Sequence, residues 1–150
     1  MLFRSKICKE KGHTIKEYDL SFLPQKDGFI DESVDFIFLR HALEHSPYPI
    51  FTLMEYNRIL KHNGMMYIEV PAPDCERKHE YNLNHYSILG FTQLAALLQR
   101  TGFNLVQNDT IEFEINMPVA NPQEGEPATR PVKERYYSIL VKKARPLDIK

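Results

Sequence analysis

Asp35-Phe36-Ile37-Phe38-Leu39-Arg40-His41-Ala42-Leu43-Glu44-His45, followed by Arg58-Ile59-Leu60-Lys61-His62-Asn63-Gly64-Met65-Met66-Tyr67-Ile68-Glu69-Val70-Pro71, decides the fold class. Phe36 to Leu39 is an unbroken apolar run of the kind found in strands covered on both faces. A polar cluster, a helix, a tight Asn63-Gly64 exit and a second apolar strand, Met65 to Val70, follow it, which is the layout of an open α/β sheet. Ligands of such sheets bind beyond the carboxyl ends of the strands, so Arg40 to His45 stand where chemistry is expected.

Working outward, Ser46 is placed to cap the helix, with Pro47 and Pro49 in its first turn. Ile50, Leu53, Met54, Asn57 and Leu60 share the helical face expected to pack on the sheet. Pro71 and Pro73 stop the next strand. Upstream, residues 2–11 read as a helix end with Gly12 as its left-handed stop, His13 to Leu20 as a short strand, and Ser21 to Ser33 as a turn-rich connection. Downstream, residues 71–90 form a long connection, a length that marks a functional or mobile segment. Thr92 then caps a helix whose Leu94, Leu97 and Leu98 face the core, with Gly102 just beyond its end. Strands Phe103 to Met117 and Arg135 to Lys143 flank a loop holding Pro118, Pro122, Pro127 and Pro131.

The chain has 150 residues, a formal charge of -1 and ordinary apolar and charged fractions, consistent with residues 1–150 as a single unit. That charge leaves no electrostatic footprint for nucleic acid or an anionic membrane, and Lys6, Lys9 and Lys11 read as a solvated face. No apolar run approaches the ~18 residues of a membrane span. Cys8 and Cys75 have no neighbouring partner and read as reduced thiols, so a cytoplasmic location is expected.

The ordered pieces Asp19 to Pro24, Val34 to Leu39, Leu43-Glu44-His45, Arg58 to Gly64, Met65 to Pro71 and Phe91 to Phe103 resemble the second half of the class I S-adenosylmethionine-dependent methyltransferases. The resemblance implies a Rossmann-like α/β sheet with helices on its faces and a carboxyl-terminal antiparallel hairpin. It also implies S-adenosylmethionine as cofactor and a small-molecule methyl acceptor. Asp19, with Leu20, matches the position whose acid accepts from the adenine amino group; its alternative role is to form the turn before Pro24. Arg40, His41 and Ala42 match the strand end that lines the methionine portion. Tyr81, His85 and Tyr86 match the acceptor-facing segment, or else pin the long connection to the domain.

His45 is the signature histidine of the Leu-Glu-His turn, a candidate for proton transfer or a tie between turn and helix. His41, Glu44 and His45 offer three metal-ligand types within five residues, with His79 and His85 able to approach from the long connection. Since a strand-to-helix turn does not align His41 with His45 as a helix would, no metal is assigned.

One departure from the family is plain. The six glycines, at 12, 28, 64, 90, 102 and 125, never form a Gly-x-Gly turn, and no second-strand acid for the ribose is present. The chain therefore reads as a partial domain, truncated at its amino-terminal side, in which cofactor binding in isolation is expected to be weak or absent. Two functions remain in view: a methyltransferase completed by a longer chain or partner, and a non-catalytic module of the same fold used for association. The family's strand order, third, second, first, fourth, fifth, seventh, sixth, would leave Val34 to Leu39 with an open edge, so a homodimer paired there is expected.

Overall fold

The computed structural model describes residues 8–15, 18–24, 29–121, 123 and 126–144. Strand β1, Val34–Arg40, runs parallel to β2, Leu60–Pro71, with Phe38 opposite Tyr67 and Arg40 opposite Glu69. Helix α1, Pro49–Ile59, joins them, and helix α2, Phe91–Arg100, leads from the long connection to β3, Phe103–Pro118. Strand β4, Thr129–Lys143, returns antiparallel between β2 and β3, giving the order β1-β2-β4-β3. This is the fourth, fifth, seventh, sixth order that the resemblance implies.

Alternation decides the layers. Leu39, Met66, Ile68, Val70, Ile139 and Val141 point to one face of the sheet, where Leu53, Tyr56 and Ile59 of α1 and Leu94 and Leu98 of α2 join them in a single core. Residues of opposite parity, Phe36 and Phe38, stand 50% and 64% exposed on the other face, with Phe38 stacked on Tyr67 at 5.0 Å between ring centroids. Among the described residues β1 pairs only with β2, so its outer edge is open.

Several sequence expectations shift. The described residues of His13–Leu20 form no strand; instead Asp19 Oδ1 accepts from the Ser21 N–H (2.8 Å) and the Phe22 N–H donates to the Asp19 carbonyl, making a turn. Tyr48, not Ser46, precedes α1, with Pro49 in its first turn. Ser46 Oγ accepts from the Tyr48 N–H and meets Thr52 Oγ1 at 2.7 Å, and Thr52 in turn meets Ser21 Oγ at 2.8 Å. This buried hydroxyl knot anchors the first turn of α1; Leu53, Asn57 and Leu60 of the expected face are buried, Thr52 and Tyr56 join them, and Ile50 is exposed. The helix ends at Ile59 rather than at Asn63, because β2 already begins at Leu60.

Gly90, not Thr92, precedes α2, and Gln93 Oε1 accepts its N–H. Pro118 and Pro131 lie inside strands rather than in the loop. Pro131 is tolerated because that stretch of β4 has β3 as its one neighbour, β2 pairing only from Tyr136 onward. Gly12, at φ +82°, does end a helical turn: the His13 N–H reaches the Cys8 carbonyl and the Gly12 N–H the Lys9 carbonyl, both orphan acceptors of the turn. The part of that expected helix before Cys8 lies outside the described residues.

Arg58 of the Arg-x-Leu-Lys run has a structural task. Its guanidinium donates to the carbonyls of Leu23 and Phe29 and to the carboxylates of Asp31 and Glu55, tying the turn-rich connection to α1. Those partners, Glu55 first, outweigh burial and raise its pKa above the ordinary value.

Candidate active site beyond the strand ends

At the end of β1 the chain breaks from extended backbone at His41, whose φ is +48° and whose N–H still reaches the Glu69 carbonyl at 2.9 Å. Ala42 leads into a 3-10 turn, Leu43–His45, that buries Glu44 to 1% exposure. The long connection then folds back on this turn. Tyr86 and Ser87 both donate backbone N–H groups to the Glu44 carbonyl, and Ser87 Oγ donates to the Leu43 carbonyl. His45 Nδ1 donates to the Asn84 carbonyl at 2.8 Å and His85 Nδ1 to the His79 carbonyl at 3.0 Å.

Two carboxylates organise the charge. Glu69 accepts from Arg40 Nε at 2.8 Å and Tyr67 Oη at 2.8 Å, and His41 Nε2 lies 3.1 Å away. Burial opposes its charge, but the Arg40 and Tyr67 bonds prevail and hold the carboxyl below its ordinary value. Glu134, its side chain fully buried on β4, accepts from His79 Nε2 at 2.8 Å and Arg77 Nη1 at 2.9 Å. Again burial is outweighed by hydrogen bonds, from His79, Arg77 and Tyr136, and the carboxyl is lowered. Burial together with that negative neighbour pushes the Tyr136 phenol up.

Between the turn and residues 18–21 lies a cavity of about 610 Å³, walled by Asp19, Leu20, His45, Asn84 and Tyr86 among others. The structure thus gathers four of the sequence candidates, Asp19, Leu20, His45 and Tyr86, around one space. Arg40 and His41 sit instead in the Glu69 cluster, Ala42 starts the turn, and His85 bridges toward His79. Tyr81 stands 82% exposed and does not line the cavity. The sequence missed Glu69 and the Arg77–His79–Glu134 group. Glu134 fell outside the strand expected from Arg135 onward, and β4 in fact begins at Thr129, so no local signal pointed to it.

The cavity wall carries the Asp19 carboxylate and Asn84, while the Ser21 and Ser46 hydroxyls that border it are buried and engaged with Thr52. A Cβ on Gly64 would meet the backbone of Lys61 and Asp35, and Gly12 and Gly90 approach no backbone; none of these three lines the cavity.

An open α/β domain with its polar groups gathered beyond the carboxyl ends of its strands belongs to the nucleotide- and cofactor-binding class of sheets. A family model described as a methyltransferase domain matches residues 5–108, and the chain belongs to that family, the S-adenosylmethionine-dependent methyltransferases of class I. No curated protein matches the sequence. Solved structures share the fold at low identity. The YcgJ protein of Bacillus subtilis is 15% identical, with 94% of this chain and 76% of that one covered and a TM-score of 0.68. An S-adenosylmethionine-dependent methyltransferase of Thermotoga maritima is 20% identical, with 93% and 68% covered and a TM-score of 0.64. The cyclase SpnF is 13% identical, with 95% and 62% covered and a TM-score of 0.66. No helix of the described residues is long and apolar enough to cross a membrane.

Proposed function

We propose that these residues form the acceptor-facing part of a methyltransferase that transfers a methyl group from S-adenosylmethionine to a small molecule, with the glycine turn and ribose acid supplied by a longer chain or a partner. The carrying observation is the cavity lined by both Asp19 and His45, whose ring is oriented by the Asn84 carbonyl. The cofactor, when bound, supplies a methyl group on a sulfonium, already an excellent leaving group. The protein has then to place the acceptor in line and to take its proton where the acceptor is a hydroxyl or amine.

With Nδ1–H donated to Asn84, His45 carries its lone pair on Nε2, the nitrogen able to take that proton. Asp19 spends one oxygen on the Ser21 N–H and keeps acceptor capacity for an exocyclic amine. Tyr86, anchored through its backbone to Glu44, walls the acceptor side. Cys8 and Cys75 are both free thiols, which supports the reducing, cytoplasmic setting this reading assumes.

Calorimetric titration with S-adenosylhomocysteine tests the proposal. The chain alone should bind weakly or undetectably. Grafting the amino-terminal strands and glycine turn of a relative ahead of residue 13 should create binding, and Asp19→Ala in that hybrid should weaken it by about 1–3 kcal/mol. Sub-micromolar affinity in the chain alone, or a folded hybrid that gains none, would overturn it.

A further inference from the structure

Among the described residues two groups of metal-ligand side chains occur: Cys75, His79 and Glu134, and Glu44, His45 and His85, each with one ligand atom per residue within 4.8 Å of the others. Their chemistry differs. In the first, both Glu134 oxygens are already engaged, one of them by the Arg77 guanidinium, so the carboxylate is neutralised and satisfied. In the second, Glu44 is buried yet its Oε2 has no hydrogen-bond partner. Its Oε1 comes no nearer than 3.6 Å to His41 Nδ1 and 4.0 Å to His45 Nε2. A buried carboxylate oxygen without a donor is costly, and native folds keep one only for a reason.

The two histidines of this group are prepared as ligands. Each donates its Nδ1–H to a backbone carbonyl, His45 to Asn84 and His85 to His79. That arrangement puts the lone pair of both rings on Nε2 and fixes their orientation, as carbonyls do behind metal-bound imidazoles. Asn82 Nδ2 donating to His85 Nε2 at 3.2 Å identifies the same nitrogen as the acceptor. His45 also walls the 610 Å³ cavity, so a ligand position could open toward it.

We infer that Glu44 Oε2, His45 Nε2 and His85 Nε2 form a site for one divalent transition-metal ion of the zinc type. Two imidazoles and one carboxylate are a donor set of open, three-ligand zinc sites, and imidazole selects zinc, cobalt or iron over magnesium and calcium. His41 and His45, separated by the turn after β1, are not aligned on one helical face. The tertiary structure replaces His41 by His85, brought in by the Tyr86 and Ser87 hydrogen bonds to the Glu44 carbonyl. The use of this ion rests on the function proposed above: it would hold the acceptor oxygen and lower its pKa, with His45 then a ligand rather than the base.

The test is metal binding itself, which needs neither methyl donor nor acceptor and so stands or falls separately from methyl transfer. Purified chain is stripped with a chelator and titrated with Co²⁺, then with Zn²⁺, while visible absorption and melting temperature are followed. Expected are one equivalent of Co²⁺ with ligand-field bands, displacement by Zn²⁺, and a rise in melting temperature. Glu44→Gln, nearly isosteric, and His85→Ala should each weaken binding on the order of 100-fold or more with unchanged far-ultraviolet circular dichroism. Absence of binding, equal affinity in folded Glu44→Gln, or a sulfur-to-cobalt charge-transfer band placing the ion at Cys75 would overturn the assignment.

Discussion

Glu134 illustrates how much one side chain can carry. Its carboxylate is fully buried and joins β4 to the long connection through His79 and Arg77, more than fifty residues earlier. Glu134→Ala removes the partner of two cationic or polar groups and should cost about 3 kcal/mol, discounted because Arg77 is partly solvated. Urea unfolding at pH 7 measures it. The sign of the pH effect follows from the lowered carboxyl. The contribution is complete above the ordinary value of 4.5 and is lost as the pH falls through the depressed folded value. Wild-type stability should therefore drop below about pH 4.5, and Glu134→Gln should show a smaller drop over the same window.

At the scale of elements, the junction between α1 and β2 depends on close backbone approach. A Cβ at Gly64 would stand 2.9 Å from the Lys61 carbonyl oxygen and 3.2 Å from that of Asp35 on the neighbouring strand. Neither atom is the end of a flexible side chain, so Gly64→Ala should destabilise by about 1–3 kcal/mol, read as a lower urea midpoint at unchanged slope. The start of α1 depends instead on the Ser21–Ser46–Thr52 hydroxyls. Thr52→Val keeps the shape but leaves two buried hydroxyls short of a partner, at about 1–2 kcal/mol. Loss of Ser21 anchoring should also make residues 18–24 more open to proteolysis, a readout that a simple cavity would not move.

For the whole molecule, the governing feature is the outer edge of β1, which among the described residues has no strand beside it. Its outer hydrogen-bonding groups and the flanking Phe36 and Phe38 are exposed together, the combination that drives edge-to-edge association. For the chain by itself we propose that two copies pair along it, since an isologous contact covers edge and aromatic flank at once. Light scattering coupled to gel filtration should report twice the chain mass, and Phe38→Lys should convert it to monomer or aggregate. A monomeric wild type with exchange-protected amides along β1 would end that expectation.

The presence of β1, β2, α2, β3 and β4 along the chain was legible in the residues, as were the glycine stops at Gly12 and Gly102, because each is set by apolar runs, periodicity and turn chemistry within a few residues, whereas the order of the strands in the sheet was implied by the resemblance. The resemblance, too, rests on short local motifs, and the family match agrees with it. Leu53, Asn57 and Leu60 of the expected α1 face are buried, and the tertiary structure alone added Thr52, whose hydroxyl meets that of Ser21 from across the chain. It alone decided that His13–Leu20 turns where a strand was expected, and that Pro131 is tolerated within β4. The pairing of Glu134 with His79, and of Glu44 with His45 and His85, likewise belongs to the fold. Such groups meet only after the long connection folds back over the strand ends, and no local period in the sequence encodes that return.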